Sequence, residues 1–457
     1  MSGLIVDAAV DSVSKLSGKN MLLIKSGAVV SDVVAFGGAL AANAHAIIPN
    51  PATWDWLPGD YIVVLAQDIF GSALTVPAWL SRLDGLGATV DPAFMGGYIV
   101  DGLDHWTSVQ DGAGNMVPAY RITYVNTQDN AKHIVLARYR KVASVVAVAG
   151  EIFDNSPTNV DLAALNIPTN GVGIMLGNVR GNGTQAATLA DFVAQGVGIV
   201  DRYPGVIGKR AYEVPGPLTG YQFTVNNNAA LSNDNFFEAA ALTPGPALYT
   251  PTTTPTFVAA GALQTVKVGS TVTVAPPSGL NAGDLLMIVT HSRDNAGDSF
   301  GDETLAPAGW KRFGRLSSNA RDVRVDFKRA IGGGSDPSEV LYVYSGTGQL
   351  EARMYAYRGV GGVKWVGGAS AQTMTPLMNT DVANTLAIAA FGSDFYTISS
   401  LTLGSWTQRD LQPQASSGGI ALAELLMASP GAPGCPTLVQ SGGSTGSIAM
   451  FYLLPAN

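Results

Sequence analysis

Two stretches of the chain are apolar at every position: Tyr61, Ile62, Val63, Val64 and Leu65, and again Leu285, Leu286, Met287, Ile288 and Val289. A strand apolar on both faces is covered on both sides and sits centrally in its sheet. Val323, Val325 and Phe327 instead alternate with Arg324, Asp326 and Lys328, the period-two pattern of a strand with one buried and one solvated face. Tyr120, Ile122 and Tyr124 mark the corresponding inner face in the first half. Short strand-like runs between Gly, Pro, Asn and Asp fill most of the remaining length, so the pattern predicts a mainly β chain of antiparallel sandwich type. Helical spacing is confined to Leu4, Ala8, Val13 and Leu16, with Asp7 near the start and Lys15 near the end to complement the helix dipole, and to a short helix over Thr188 to Gln195.

The two apolar runs open a module that is written twice. GDLLMIVTH (283–291), PAGW (307–310), VRVDFKRA (323–330), EVLYVYSG (339–346) and ARMYAYRGV (352–360) follow one another in the second half. GDYIVVLAQ (59–67), PAW (77–79), AYRITYVNT (119–127), HIVLARYRK (133–141) and VASVVAVAG (142–150) take the corresponding places in the first. The expected organisation is an arm over residues 1–19, a first β-sandwich domain over 20–248, a Pro/Thr linker over 249–256 and a second β-sandwich domain over 257–457. Proline and threonine in YTPTTTPT make that linker an extended, semi-stiff spacer. The Gly- and Asp-rich stretch from Asp84 to Asn115 reads as a long surface insertion, tolerated because closure entropy grows slowly with loop length.

Composition agrees with this picture and removes whole classes of function. Of 457 residues 47% are hydrophobic and 13% charged, with 54 Gly and 25 Pro, which suits short strands and tight turns. A formal net charge of -8 and no Lys/Arg run longer than a pair exclude electrostatic capture of nucleic acid. One cysteine, Cys435, rules out an intramolecular disulfide framework. No secretory leader and no apolar run of about 20 residues is present, so export by that route and membrane insertion by a helix are not expected.

Candidate chemistry is sparse. The four histidines, His45, His105, His133 and His291, lack the spacing of zinc or haem ligands, and His291, ending a buried strand, reads as a capped or a solvent-edge residue. Asp294, Asn295, Asp298, Asp302 and Glu303 crowd one glycine-containing loop, a donor set suited to Ca²⁺ although its spacing is not that of an EF-hand. DGLDHW (101–106) with Asp111 is a second, poorer set. Trp79 and Trp310 hold equivalent places in the duplication and read as core plugs. Trp106, Trp365 and Trp406 lie among Gly, Asp or Thr in expected loops, where an exposed indole could stack on a sugar ring. No carboxylate pair, nucleophile elbow or phosphate loop is picked out, so no catalytic residues are assigned.

The GDLL strand, the turn with Pro307, Gly309 and Trp310, VDFKRA and YAYRGV together resemble a domain of tailed-bacteriophage virion proteins, of the tail-fibre or other tail- or head-appendage type. The resemblance covers about 200 residues of the second half. It weakens in the first half, where Trp79 follows Pro77 without the glycine and VAVAG stands in place of AYRGV. It implies lectin-like or jelly-roll sandwiches, a virion location after assembly in the host cytoplasm, and a structural, non-enzymatic role with host attachment among its functions. The low charge and small-residue surface fit a homo-oligomer, and the N-terminal arm would contact other virion proteins. A carbohydrate-binding adhesin with a Ca²⁺-dependent loop, reading host surface glycan, is the alternative; an envelope polysaccharide-degrading enzyme is a third.

Overall fold

The computed structural model describes residues 30–36, 38–41, 44–47, 57–68, 74–75, 80–83, 93–100, 106–110, 116–124, 132–153, 159–178, 200–201, 209–226, 235–245, 249–267, 272–293, 309–318, 321–341, 349–369, 371–376, 379–380, 382–393, 397–414, 418–441 and 446–457. All regular structure among them is β-strand, as the alternation and turn chemistry predict. The expected arm over residues 1–19 and the helix over Thr188 to Gln195 lie outside the described residues. No helix among the described residues is long and apolar enough to cross a membrane.

The strands fall into four consecutive groups. The first holds β1 (Val30–Phe36), β2 (Gly38–Ala41), β3 (Ala44–Ile47), β4 (Tyr61–Asp68), β5 (Leu74–Thr75), β6 (Ser81–Arg82), β7 (Ala93–Ile99), β8 (Trp106–Gln110), β9 (Met116–Tyr124) and β10 (Lys132–Arg140). The second holds β11 (Val142–Phe153), β12 (Asn159–Asp161), β13 (Leu165–Ile167), β14 (Val172–Asn178), β15 (Val200–Asp201), β16 (Lys209–Pro215), β17 (Leu218–Tyr221), β18 (Thr224–Asn226) and β19 (Asn235–Pro244). The third holds β20 (Thr256–Ala260), β21 (Gln264–Lys267), β22 (Val272–Val274), β23 (Leu285–Arg293), β24 (Lys311–Ser318), β25 (Arg321–Arg329), β26 (Glu339–Leu341) and β27 (Gln349–Arg358). The fourth holds β28 (Val360–Ala369), β29 (Thr385–Ser393), β30 (Ile398–Thr402), β31 (Thr407–Gln414), β32 (Gly418–Met427), β33 (Thr437–Gln440) and β34 (Gly446–Pro455).

One topology runs through all four groups. The main antiparallel paths are β1-β10-β4-β7-β6, β11-β19-β14-β16-β15, β20-β27-β23-β25-β24 and β28-β34-β29-β32-β31, the last continuing beyond β28 into β9. Numbered by order of occurrence, the strands of each path lie 1-5-2-4-3. Among the described residues one five-strand path therefore occurs four times, and the duplication legible in the sequence is a duplication of pairs. The structure also corrects the alignment of the copies. β10, HIVLARYR with its preceding lysine, matches β27 and not EVLYVYSG, and β7 matches β25. Hydrogen bonds confirm the match: Gly59 N and Val100 N bond Val100 O and Asp60 O at 2.8 Å each, and Gly283 N and Ala330 N bond Ala330 O and Asp284 O at 2.9 and 2.8 Å.

The chain divides into two compact units, Met1–Val100 with Arg121–Tyr249, and Asp101–Tyr120 with Thr250–Asn457. In the second unit the third and fourth sheets pack face to face. Leu285, Met287, Val289, Val325, Phe327, Tyr355 and Tyr357 of one meet Val363, Trp365, Leu386, Ile388, Leu422, Phe451 and Leu453 of the other in a single core. Burial of this apolar surface is the main driving force for the unit, at roughly 25 cal/mol per Å². The outer face of the third sheet is covered in turn by Val272 and Val274 of the β22–β26 ribbon, Leu280 and the core plug Trp310. That cover explains a departure from the expected pattern: Arg324 and Asp326 of β25 are fully buried, paired at 2.5 Å, instead of facing solvent. In the first unit the buried Tyr139 hydroxyl of β10 donates to Glu213 of β16 at 3.1 Å, which joins the first and second sheets.

The two repeats of each unit are joined by one residue. Lys141, at φ 64°, separates β10 from β11, and Gly359, at φ 72°, separates β27 from β28. The neighbouring strands do not pair with each other, so the chain steps from one sheet into its partner. The last strand of each pair returns to this step: Gly245 N bonds Lys141 O at 2.8 Å and Ala456 N bonds Gly359 O at 2.8 Å. Residues 250–253, expected to be a spacer, are tied to the same place, with Thr252 N and Thr253 N bonding Ala456 O at 2.8 and 3.0 Å. A Cβ on Gly359 would meet Thr253 Cγ2 at 2.7 Å and Thr254 O at 2.9 Å. Gly359→Ala is therefore expected to destabilise the second unit by about 1–3 kcal/mol, whereas Lys141→Gly, which relieves a left-handed lysine, costs nothing measurable. Urea unfolding midpoints of the two variants check the contrast.

Candidate functional site

Polar residues that the fold draws together cluster around the steps between repeats. Before β4 and β23 the chain makes a Gly-Asp turn with Gly59 at φ 89° and Gly283 at φ 83°. The aspartate closes the turn itself: Leu57 N and Asn281 N each donate to the Oδ2 of Asp60 and Asp284 at 2.8 Å. The remaining lone pairs take the arginine that ends strand five. Arg140 Nε and Nη2 reach Asp60 at 2.8 and 2.9 Å, and Arg358 Nε and Nη2 reach Asp284 at 3.0 and 2.8 Å. Such two-pronged pairing is the geometry for which guanidinium is preferred over ammonium. The hydrogen bond to Asp284 raises the Arg358 pKa further above its ordinary value.

In the second unit the step is gripped from its far side as well. Arg329 Nη1 donates to Val360 O at 2.7 Å and Nη2 to Gly361 O at 3.3 Å, directly after Gly359. Farther along the seam, Arg353 Nη1 donates to Asp410 Oδ1 and Oδ2 at 2.8 and 2.7 Å. The Tyr355 hydroxyl donates to Oδ2 at 2.7 Å and Gln412 Nε2 to Oδ1 at 2.7 Å. A β-bulge between Gln408 and Asp410 turns Asp410 into the seam. The adjacent Arg409 pairs with Glu424 and lies over the Phe257 ring.

Chemically, these carboxylates are occupied. A carboxylate offers about four lone-pair sites, and Asp410 accepts at all of them while being only 8% exposed. It holds β27 and β31 together across the seam. Tyr355 and Tyr357 are held protonated well above the ordinary phenol range, by burial first and then by the negative charges of Asp410 and Glu424 respectively. Burial likewise raises the Tyr61 and Cys435 pKa values.

The residues singled out from the sequence are only partly among the described ones. Asp294, Asn295, Asp298, Asp302 and Glu303 lie outside the described residues, as do Asp101, Asp111 and Trp79. Among the described residues no group of three or more His, Cys, Asp or Glu could hold a metal ion. Trp106 opens strand β8. Trp365, expected in a loop, lies in β28 and is 2% exposed within the core between the sheets. Trp406 is 6% exposed with its Nε1 donating to Gly434 O at 2.8 Å. Both indoles are buried, so neither presents an open ring face. His291 is not at a solvent edge either: it is 1% exposed, 3.7 Å from Glu351, with its ring against Gly392.

No family model and no curated protein matches this chain. The clamp residues were the ones missed in sequence, although their signal is present there: Gly-Asp before the apolar strand and Tyr-Arg before the step both occur twice, at 59–60 and 283–284 and at 139–140 and 357–358.

Two outcomes follow from this geometry. The native fold binds the Tyr355 and Tyr357 protons more tightly than the unfolded chain, so their contribution is intact below about pH 10 and is lost as pH rises through that value, by up to about 1.4 kcal/mol per pH unit for each. Urea titrations between about pH 9 and about pH 11 should show this fall, with a shallower slope in Tyr355→Phe. Trp365→Ala should lower stability by about 3–5 kcal/mol, and glycan-array binding of the folded fraction should be the same as that of the parent chain.

Proposed function

We propose that this chain is a non-enzymatic structural protein of a tailed phage or phage-like particle, of the tail-fibre or other appendage type, working as a homo-oligomer at the particle surface. The observation that supports this reading most is the use of charge. Asp60, Asp284 and Asp410 each bind an arginine and at least one further donor across strands or repeats. Side chains so committed serve rigidity, which a component that transmits force or holds spacing requires. The repetition of one sheet with one-residue steps points the same way, since a repeated fold presents repeated surfaces to neighbouring subunits. The likeness of GDLL, PAGW, VDFKRA and YAYRGV to phage appendage domains supplies the setting. Residues 1–19 are the segment assigned to contact with other virion proteins, and host attachment is assigned to the second unit.

Peptide mass spectrometry of gradient-purified particles tests the proposal. The chain should co-sediment with capsid proteins at a fixed copy number that is a multiple of its oligomeric state. Its absence from particles, with recovery as a free monomer, would sink the virion reading.

A further inference from the structure

β11 ends its sheet and pairs with β19 alone among the described residues. Its counterpart in the second unit, β28, follows the step in the same way but does not end its sheet. Register fixes the equivalence. Val142 pairs with Pro244 and, past a bulge, Ser144 with Thr243; Val360 pairs with Pro455 and, past a bulge at the same place, Gly362 with Leu454. Counting on, Val146 opposite Ala241 answers to Lys364 opposite Tyr452. β28 takes Met116 of β9 against Gly368 and is buried from Gly362 to Gly368. In β11, Ala143, Ser144 and Val146 are exposed. The sharpest contrast is Val146, 58% exposed where Lys364 is 3% exposed.

The exposed strand lacks the devices that keep an edge from pairing. β24 and β31, terminal in the third and fourth sheets, hold Lys311, Arg312 and Arg315, and Arg409, Asp410 and Pro413. Charges and proline of this kind discourage a further strand. β11 runs from Val142 to Gly150 without a charge or a proline, and Ser144 to Val148 keep unbroken register with Thr243 to Ala239. That bulge-free segment, with valine at 145, 146 and 148, is a regular ladder whose second side is open.

Charge selects the occupant. The uncharged run is bounded by Lys141 before it and Glu151 after it, each five residues from Val146. Two identical strands paired antiparallel are related by a two-fold axis. With Val146 on that axis, the regular Ser144–Val148 segments oppose each other along their whole length. Lys141 of each copy then comes to the end that holds Glu151 of the other.

We propose that β11 is a dimer interface, adding antiparallel to β11 of a second copy about an axis at Val146, so that two sheets continue into one. Main-chain hydrogen bonds supply the affinity in such additions, and the end charges set direction and register. The proposal gives a surface to the homo-oligomer inferred above and rests on that reading.

Sedimentation velocity of the full chain and of Val146→Lys tests it. The parent should be dimeric at micromolar concentration. Val146→Lys sets two ammonium groups opposite each other and should raise the dimer dissociation constant at least about tenfold, with an unchanged circular dichroism spectrum. Lys141→Glu should weaken the dimer too, and adding Glu151→Lys should restore it, a recovery that loss of folding does not produce. In a Cys435→Ser background, Val146→Cys sets the new thiol opposite its own copy, so a short bis-maleimide should link two chains, whereas Cys435→Ser alone should give no link. A parent oligomer that Val146→Lys leaves intact, with no cross-link, overturns this surface while the homo-oligomer reading stands. A monomeric parent overturns both. Hydrogen exchange of that monomer then shows whether another segment of the same chain covers β11, because every amide from Ser144 to Val148 is protected in a covered strand and only alternate ones in an edge strand.

Discussion

The step between paired repeats is the constraint on which the rest of the structure depends. One residue must end strand five of one sheet and begin strand one of its partner, and in both units it does so with positive φ, at Lys141 and Gly359. A single left-handed residue is costly for a lysine, by about 1–2 kcal/mol, and persists when its surroundings over-determine it. Those surroundings are the Asp60–Arg140 and Asp284–Arg358 clamps immediately before the step. They anchor the outgoing end of strand five to the turn that launches strand two, so the direction of the chain at the step is set before the step is taken. The net worth of each clamp is limited by solvent, since the Arg358 side chain is 42% exposed and exposed ion pairs are screened. Its value lies in geometry, because two parallel hydrogen bonds permit one orientation of the guanidinium.

Once two sheets are brought face to face in this way, the polar residues of the seam become buried and must find partners. Asp410 meets that demand with Arg353, Tyr355 and Gln412; on the opposite, ribbon-covered face of the third sheet the buried Arg324 pairs with Asp326 in the same way. Breaking one member of such a set costs far more than the set is worth as a whole, because a lone charge is left in a dry interior. The seam therefore resists gradual change and favours retention of the full group. It also fixes register, since a one-residue slip of β27 would turn Tyr355 and Tyr357 out of the core and Met354 and Ala356 into it.

Fold class was legible because period-two alternation and turn residues are local signals, and the central places of β4 and β23 followed from their continuous apolar runs. The number of repeats was not, because the match between repeats rests on topology while their sequences share little beyond a turn and a strand end. VRVDFKR was misread on one side for a related reason. Alternation reports that two faces differ in chemistry, and it cannot report that a ribbon carrying Val272 and Val274 covers the polar face of the sheet as well. Trp406 does follow a turn, at 404–405, and is buried there, whereas Trp365, placed in a loop because of the small and polar residues around it, lies in β28 together with Gly367 and Gly368. Small residues there leave room for the indole in the core and do not mark a turn. The candidate Ca²⁺ loop lies outside the described residues, so its geometry adds nothing to the donor types read from the sequence.

The alternation between odd and even repeats explains why a fourfold architecture reads as a twofold one. Odd repeats carry Gly-Asp at the first turn and Tyr-Arg at the end of strand five, because their last strand must continue through a step into a second sheet. Even repeats do not feed such a step. Their fifth strands end at Pro244 and Pro455, and the next residue donates its N–H back to the step carbonyl, Gly245 to Lys141 and Ala456 to Gly359. Proline is suited to that place, since it ends the strand's ladder without leaving a donor unpaired. The two ends thus need different residues for different mechanical tasks, and the first and third repeats share the Gly-Asp and Tyr-Arg pairs that serve one of them. In the second unit Thr253, Gly359 and Ala456 meet at one point, so the first strand, the step and the last strand of the pair close on each other. A closed pair, and not a single sheet, is the smallest part of this chain whose strand ends are all accounted for.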